Sequence, residues 1–182
     1  EHALPFYNQN TIYSPSTTSD STAPTVTVHQ PSNANITDPT PWLNVTASES
    51  VSTWRYSNLS DATPQNQTFT PNITLASYSD GTHRLGVYAD DGSGNTGKTE
   101  RTFTVDTTNP STSDNWTYSK FVDNASANVR INASDTTTSI SHIQYRKNDG
   151  VLQNVSGSET TVKFTTDGNN TLEYRSNDSA GN

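Results

Sequence analysis

Apolar and polar residues alternate along most of this chain with a period of two, the mark of half-buried β-strands. Val26 and Val28 are separated by threonine, and Leu43, Val45 and Ala47 continue the pattern. It returns at Trp54 and Tyr56, at Leu85, Val87 and Ala89, and at Phe103 and Val105. Farther along come Val129, Ile131 and Ala133, then Ile143 and Tyr145, Val162 and Phe164, and Leu172 and Tyr174. No helical period appears. The stretches between are rich in Asp and Gly (SDG, DDGSG, NDG, TDG), residues that supply tight reversals and positive φ.

The alternating segments repeat. DSTAP at Asp20–Pro24 returns as DTTNP at Asp106–Pro110, and LNVTASE at Leu43–Glu49 as VRINASD at Val129–Asp135, both 86 residues later. DGTHRLGVYADDGSGN from Asp80 returns 87 residues later as DGNNTLEYRSNDSAGN from Asp167. Three anchors at nearly one spacing predict two homologous units, 20–106 and 107–182, preceded by a tail, 1–19. Short strands broken by such turns predict an all-β fold of two tandem antiparallel β-sandwiches. FTVDTTNP at the join, and ADDGSGN before the last strand of the first unit, resemble the immunoglobulin-like repeats of bacterial and archaeal cell-surface proteins. The resemblance covers residues 20–182 and implies immunoglobulin-like sandwiches in S-layers, adhesin stalks, filaments or spacers. Fold alone does not choose among these.

The second unit departs from the pattern, because nothing after Leu172–Tyr174 matches the strand around Phe103. A sandwich lacking its last strand presents an open edge that another strand can pair. The tail carries Leu4, Phe6, Ile12 and Tyr13, with Leu4 and Phe6 spaced as one face of a strand. It is a candidate donor strand for the edge at Leu172 and Tyr174 of another copy, which would build a head-to-tail filament by donor-strand complementation.

Composition narrows the class. Net charge is −8 without a basic cluster, which disfavours nucleic acid as a partner. No apolar run is long enough to insert in a membrane. Nothing at the start reads as a signal peptide, so the sequence is expected to be a mature or excised segment. Cysteine is absent, removing disulfides and thiolate chemistry. Asn-x-Ser/Thr occurs at Asn35, Asn44, Asn58, Asn66, Asn72, Asn115, Asn124, Asn132, Asn154, Asn169 and Asn177, eleven of twenty asparagines, which points to an N-glycosylated extracellular protein. Dense sequons without cysteine resemble archaeal rather than animal secreted domains.

Catalysis finds no support in spacing. His2, His29, His83 and His142 share no metal-ligand interval, and no G-x-S-x-G elbow occurs. DDGSGN lacks the glutamate of an EF-hand loop. The four lysines give no inward position for an isopeptide crosslink. Trp54 is expected in the core, and Trp42 and Trp116 at the surface, where aromatics can stack on sugars.

A different site follows from topology. In such a sandwich the entering linker, the end of the second strand and the turn before the last strand meet at one end of the unit. Those places carry Asp20, Glu49 and Asp91 in the first unit and Asp106, Asp135 and Asp178 in the second. Crowded carboxylates repel, and a hard cation such as calcium relieves them. Asp61 or Asp80 would add a ligand across the joint. The expected protein is therefore a non-enzymatic structural subunit of a glycosylated surface assembly with copies of itself as partners. The alternative is an S-layer or stalk segment, or an adhesin or carbohydrate-binding module of a larger protein.

Overall fold

A computed structural model describes residues 19–116 and 127–182. Among these there are fourteen strands and no helix. The first half contributes β1 (Val26–Gln30), β2 (Asn35–Ile36), β3 (Trp42–Ala47), β4 (Thr53–Asn58), β5 (Gln67–Phe69), β6 (Ile73–Thr74), β7 (Gly81–Asp90) and β8 (Thr96–Val105). They form two sheets, ordered β1-β3-β6 and β2-β8-β7-β4-β5. All pairings are antiparallel except β2 with β8, which run parallel.

The second half contributes β9 (Ser111–Asp114), β10 (Ala127–Ser134), β11 (Ile140–Lys147), β12 (Gln153–Ser156), β13 (Glu159–Phe164) and β14 (Leu172–Asp178). Its sheets are β13-β10-β9 and β12-β11-β14, all antiparallel. Position for position they repeat β6-β3-β1 and β5-β4-β7. Among the described residues the second half has no counterpart of β2 or of β8. Among the described residues β14 pairs with β11 alone, and Ser179–Asn182 after it form a turn.

The alternation sorts side chains as the period of two requires. Val26, Val28, Leu43 and Val45 from one sheet meet Leu85, Val87, Ala89, Phe103 and Val105 from the other in a first core. Val129, Ile131, Val162 and Phe164 meet Ile143 in a second, smaller one. Each fully buried Val, Leu, Ile or Phe side chain among these stabilises the fold by roughly 1.5–3 kcal/mol relative to exposure. Trp116, Tyr145, Leu172 and Tyr174 flank the second core, half-buried. Leu172 and Tyr174 thus face the interior, and the Tyr174 hydroxyl donates to Asp114 Oδ2 at 2.6 Å. Trp54 is half-buried against the first core, tilted on Phe69 with centroids 5.9 Å apart, and Trp42 is 48% exposed.

The two halves touch through polar contacts at the join. Asp80, in the turn before β7, accepts from the backbone N–H and hydroxyl of Thr107 at 3.0 and 2.9 Å and from the Thr108 hydroxyl at 2.7 Å. Asn35 Nδ2 donates to Ser179 Oγ at 2.8 Å. The hairpin tip after β11 places Asn148 and Asp149 at φ of 48° and 55°, a left-handed pair that suits Asn and Asp.

Candidate functional site

Four polar or charged residues are buried among the described residues: Ser57, Asp91, Asp106 and Asp178. Three of these belong to the acidic sets that the sequence singles out. Ligand atoms of Asp20, Glu49 and Asp91 lie within 4.8 Å of one another, and so do those of Asp106, Asp135 and Asp178. Each set gathers a residue from the segment entering the sandwich, one from the segment leaving β3 or β10, and one from the turn at the end of β7 or β14.

A shared hydrogen-bond pattern builds both turns. Asp91 Oδ1 accepts from the N–H groups of Ser93 and Asn95, each at 2.8 Å, and Oδ2 accepts from the Asn95 side-chain amide at 2.7 Å. The same amide donates to the backbone carbonyl of Asp20 at 3.1 Å. In the second half Asp178 Oδ1 accepts from the N–H groups of Ala180, Gly181 and Asn182 at 2.8, 2.8 and 3.0 Å, and Oδ2 from the Asn182 amide at 3.0 Å. Asn182 Nδ2 also donates to the carbonyl of Asp106 at 2.9 Å. Each asparagine therefore clasps the incoming chain to the turn. Sequence reasoning assigned Asn95 and Asn182 no role, although both are among the identities of the repeat.

Electrostatics distinguish the acids. Hydrogen bonds from Asn95, first its side chain and then backbone N–H groups of the turn, hold the Asp91 carboxyl below the usual range against the effect of burial. Burial pushes Asp178 up, but the side-chain and backbone donors of Asn182, with those of Gly181 and Ala180, outweigh it and leave the carboxyl lowered. Glu49 is raised, by desolvation first and then by the charges of Asp20 and Asp91. In the second set Asp135 Oδ1 accepts from Thr137 and Thr138 N–H at 2.8 and 3.0 Å, and Asp106 Oδ2 accepts from the Thr138 hydroxyl at 2.6 Å. None of the ion pairs among the described residues includes any of the six. Asp61 and Asp80 are in neither set: Asp61 accepts from the Asn58 amide, and Asp80 is taken up by Thr107 and Thr108.

The remaining sequence candidates scatter. Asn66, Asn72, Asn115, Asn154 and Asn169 are exposed, whereas Asn35, Asn44, Asn58, Asn132 and Asn177 are half-buried. Asn35 and Asn58 already use their amide nitrogens, toward Ser179 and Asp61. Leu4, Phe6, Ile12, Tyr13, His2, Asn124 and Lys120 lie outside the described residues. His83 packs between Tyr78 and Phe103 with its Nε2 2.7 Å from the Ser79 carbonyl oxygen, and His29 Nε2 sits 3.0 Å from the Thr46 hydroxyl.

No family model matches the chain. It is 40% identical over 91 residues to Halomucin of Haloquadratum walsbyi, a match that covers 47% of this chain and spans about 1% of that protein's length. Among solved structures it resembles fibronectin(III)-like modules of Clostridium thermocellum CbhA (TM-score 0.48, 17% identity, 86% of this chain and 87% of that one). It also resembles a carbohydrate-binding module of the β-sandwich superfamily (TM-score 0.45, 11% identity, 89% and 98%) and a 1.5-MDa bacterial ice-binding adhesin (TM-score 0.36, 16% identity, 90% and 62%).

Proposed function

We propose that the chain is a structural, non-enzymatic module of an extracellular surface protein, made of two immunoglobulin-like units, 20–106 and 107–182, with Asp106 at their junction. The observation that carries this reading is the duplicated clasp. Asn95 ties the carbonyl of Asp20 to the turn of the first unit, and Asn182 ties that of Asp106 to the turn of the second. A unit that fastens its own entering segment in the same way each time can be chained without redesign. Similarity to a short stretch of a much longer protein is what such a module produces. Sugars on the exposed asparagines would keep its polar faces hydrated. Intact-cell proteolysis followed by mass spectrometry tests the reading. Peptides released without lysis, with hexose on Asn66, Asn72, Asn115, Asn154 or Asn169, support it; release only after lysis, without sugar, overturns it.

The edge of β14 favours a second, finer reading, assembly by an added strand. In this reading residues 1–19 of one copy pair with β14 of the next and extend the sheet to match the β7–β8 pair of the first unit. Purified protein then forms fibres in negative stain, and deleting residues 1–19 abolishes them. Fibres of unchanged length after the deletion overturn the donor-strand reading and leave the module reading intact.

A further inference from the structure

We propose that Asn72 carries an N-linked sugar whose first ring lies in the groove beside it, against Trp54 and Phe69. This rests on the extracellular reading above and deepens it, by naming one acceptor and the surface that orders its glycan.

The groove follows from how the first sandwich ends on one side. β5 is the edge strand of the larger sheet, and Phe69 in it pairs with Trp54 of β4. Trp54 and Tyr56 stand opposite Ala89 and Val87, both buried, so they share the inward face of β4. At this edge that face is not fully covered. Trp54, Tyr56 and Phe69 all remain half-buried, with the Phe69 ring centroid 5.9 Å from that of Trp54 and edge-on to Tyr56 at 5.6 Å. Beside them opens a groove of about 360 Å³ whose lining includes Trp54, Phe69 and Pro71 with Ser52, Thr53 and Thr68, and no charged residue. Small-molecule sites span about 300–1,000 Å³, so one or two sugar rings are of the right size. An aromatic and hydroxyl lining without charge suits a neutral sugar, whose C–H face stacks on a ring while its hydroxyls meet polar neighbours.

The occupant is tethered at the wall. Pro71 is followed by Asn72, Ile73 and Thr74, an Asn-x-Thr acceptor. Asn72 is exposed, and its Oδ1 accepts the Val45 N–H of β3 at 2.9 Å, which fixes the amide plane. No described residue takes a hydrogen bond from its Nδ2. Glycosylation uses that nitrogen alone. Nδ2 bonds to the anomeric carbon of a phosphate-activated glycosyl donor, the bond from that carbon to the phosphate oxygen breaks with its electron pair on the phosphate, and Nδ2 releases one proton. The bond from Val45 to Oδ1 survives. Asn35 and Asn58, by contrast, spend Nδ2 on Ser179 and Asp61. A tethered ring needs little affinity of its own, because a short link holds it at an effective concentration on the order of mM. A free sugar has no such help.

Peptide mass spectrometry of the protein from its own cells reads occupancy, and thermal unfolding reads docking. Sugar on Asn72 is expected. Thr74→Ala removes the acceptor but keeps Asn72 and its bond to Val45. It should lower the Tm of the glycosylated protein by about 2–4 °C, the shift of one modest contact in a chain of this length, and leave protein made without sugar unchanged. In a Phe69→Leu background, which keeps apolar bulk and loses the ring, the same change should lower Tm by roughly half as much or less. Should Phe69→Leu not fold, nuclear Overhauser contacts between sugar protons and the Trp54 indole of the native glycoprotein decide: they are expected, and their absence overturns the proposal. Sugar on other acceptors but not on Asn72 overturns it and leaves the extracellular reading intact, whereas sugar on none overturns both. An equal loss of Tm with and without the Phe69 ring, an equal loss in protein made without sugar, or no loss at all also overturns the docking.

Discussion

The side-chain amide of Asn182 donates to the backbone carbonyl of Asp106, 76 residues earlier, and in the first unit Asn95 makes the equivalent bond to Asp20. Each amide also reaches the aspartate that organises its turn, so one planar group joins the start and the end of a sandwich.

Replacing Asn95 by alanine leaves the Asp20 carbonyl and Asp91 Oδ2 without that donor. Two hydrogen bonds are lost, one of them to a carboxylate, and the expected destabilisation is about 2–3 kcal/mol. Urea denaturation followed by tryptophan fluorescence reads it as a lower midpoint with unchanged slope. A change within about 0.5 kcal/mol, as at an ordinary surface position, would mean that the clasp holds nothing.

Gly97, at the start of β8, is buried beside the chain that enters the first unit. A Cβ there would lie 1.7 Å from the carbonyl oxygen of Pro24, which is backbone and cannot swing away. Gly97→Ala should therefore cost about 1–3 kcal/mol or more, through displacement of the segment before β1. Gly92, where a Cβ meets nothing within 4 Å, is the control, and thermal unfolding of the two alanine variants compares them.

Neighbouring residues in β3 should respond in opposite ways. Leu43 is 0% exposed in the first core and Trp42 is 48% exposed. Leu43→Ala is expected to cost about 2–5 kcal/mol by opening a cavity, while Trp42→Ala stays well below that despite removing a larger side chain. Equal losses in chemical denaturation would contradict the inward and outward assignment of β3.

Tyr78 packs edge-on against Phe103 at 5.2 Å, and burial, with smaller contributions from Tyr56 and Asp61, pushes its hydroxyl up to about 12. The unfolded phenol titrates near pH 10. Because the folded value is the higher one, the folded state holds this proton longer. The resulting stability is fully present below about pH 10 and is lost as pH rises toward 12, by on the order of 2 kcal/mol. Tyr78→Phe should flatten that part of the stability curve measured by denaturant titration. An unchanged alkaline slope would show that Tyr78 ionises as freely folded as unfolded.

Much of the fold was legible because a period of two leaves little freedom. Once Leu43, Val45, Val129 and Ile131 are inward, the register and the sheet faces follow, and the 86-residue repeat applies one solution twice. The weak strands were not legible. β9 reads STSD, with no apolar residue to mark a face, and is held by its pairing with β10. β2, β5 and β6 are two or three residues long and pair at sheet edges. Trp54 was expected inside and lies half-buried, packed against the first core and tilted on Phe69 of β5, the edge strand beside β4.

The candidate site divides in the same way. Sequence by itself determined which acids recur at equivalent places, because duplication carries spacing forward whatever the fold does with it. Only the tertiary structure decided that Asp106 and Asp178 are buried, that Asn95 and Asn182 clasp the entering chain, and that Asp135 Oδ2 is left without a donor. Burial and hydrogen-bond satisfaction depend on segments brought together from 76 residues apart, and no local pattern of residues encodes how many donors will reach an oxygen there.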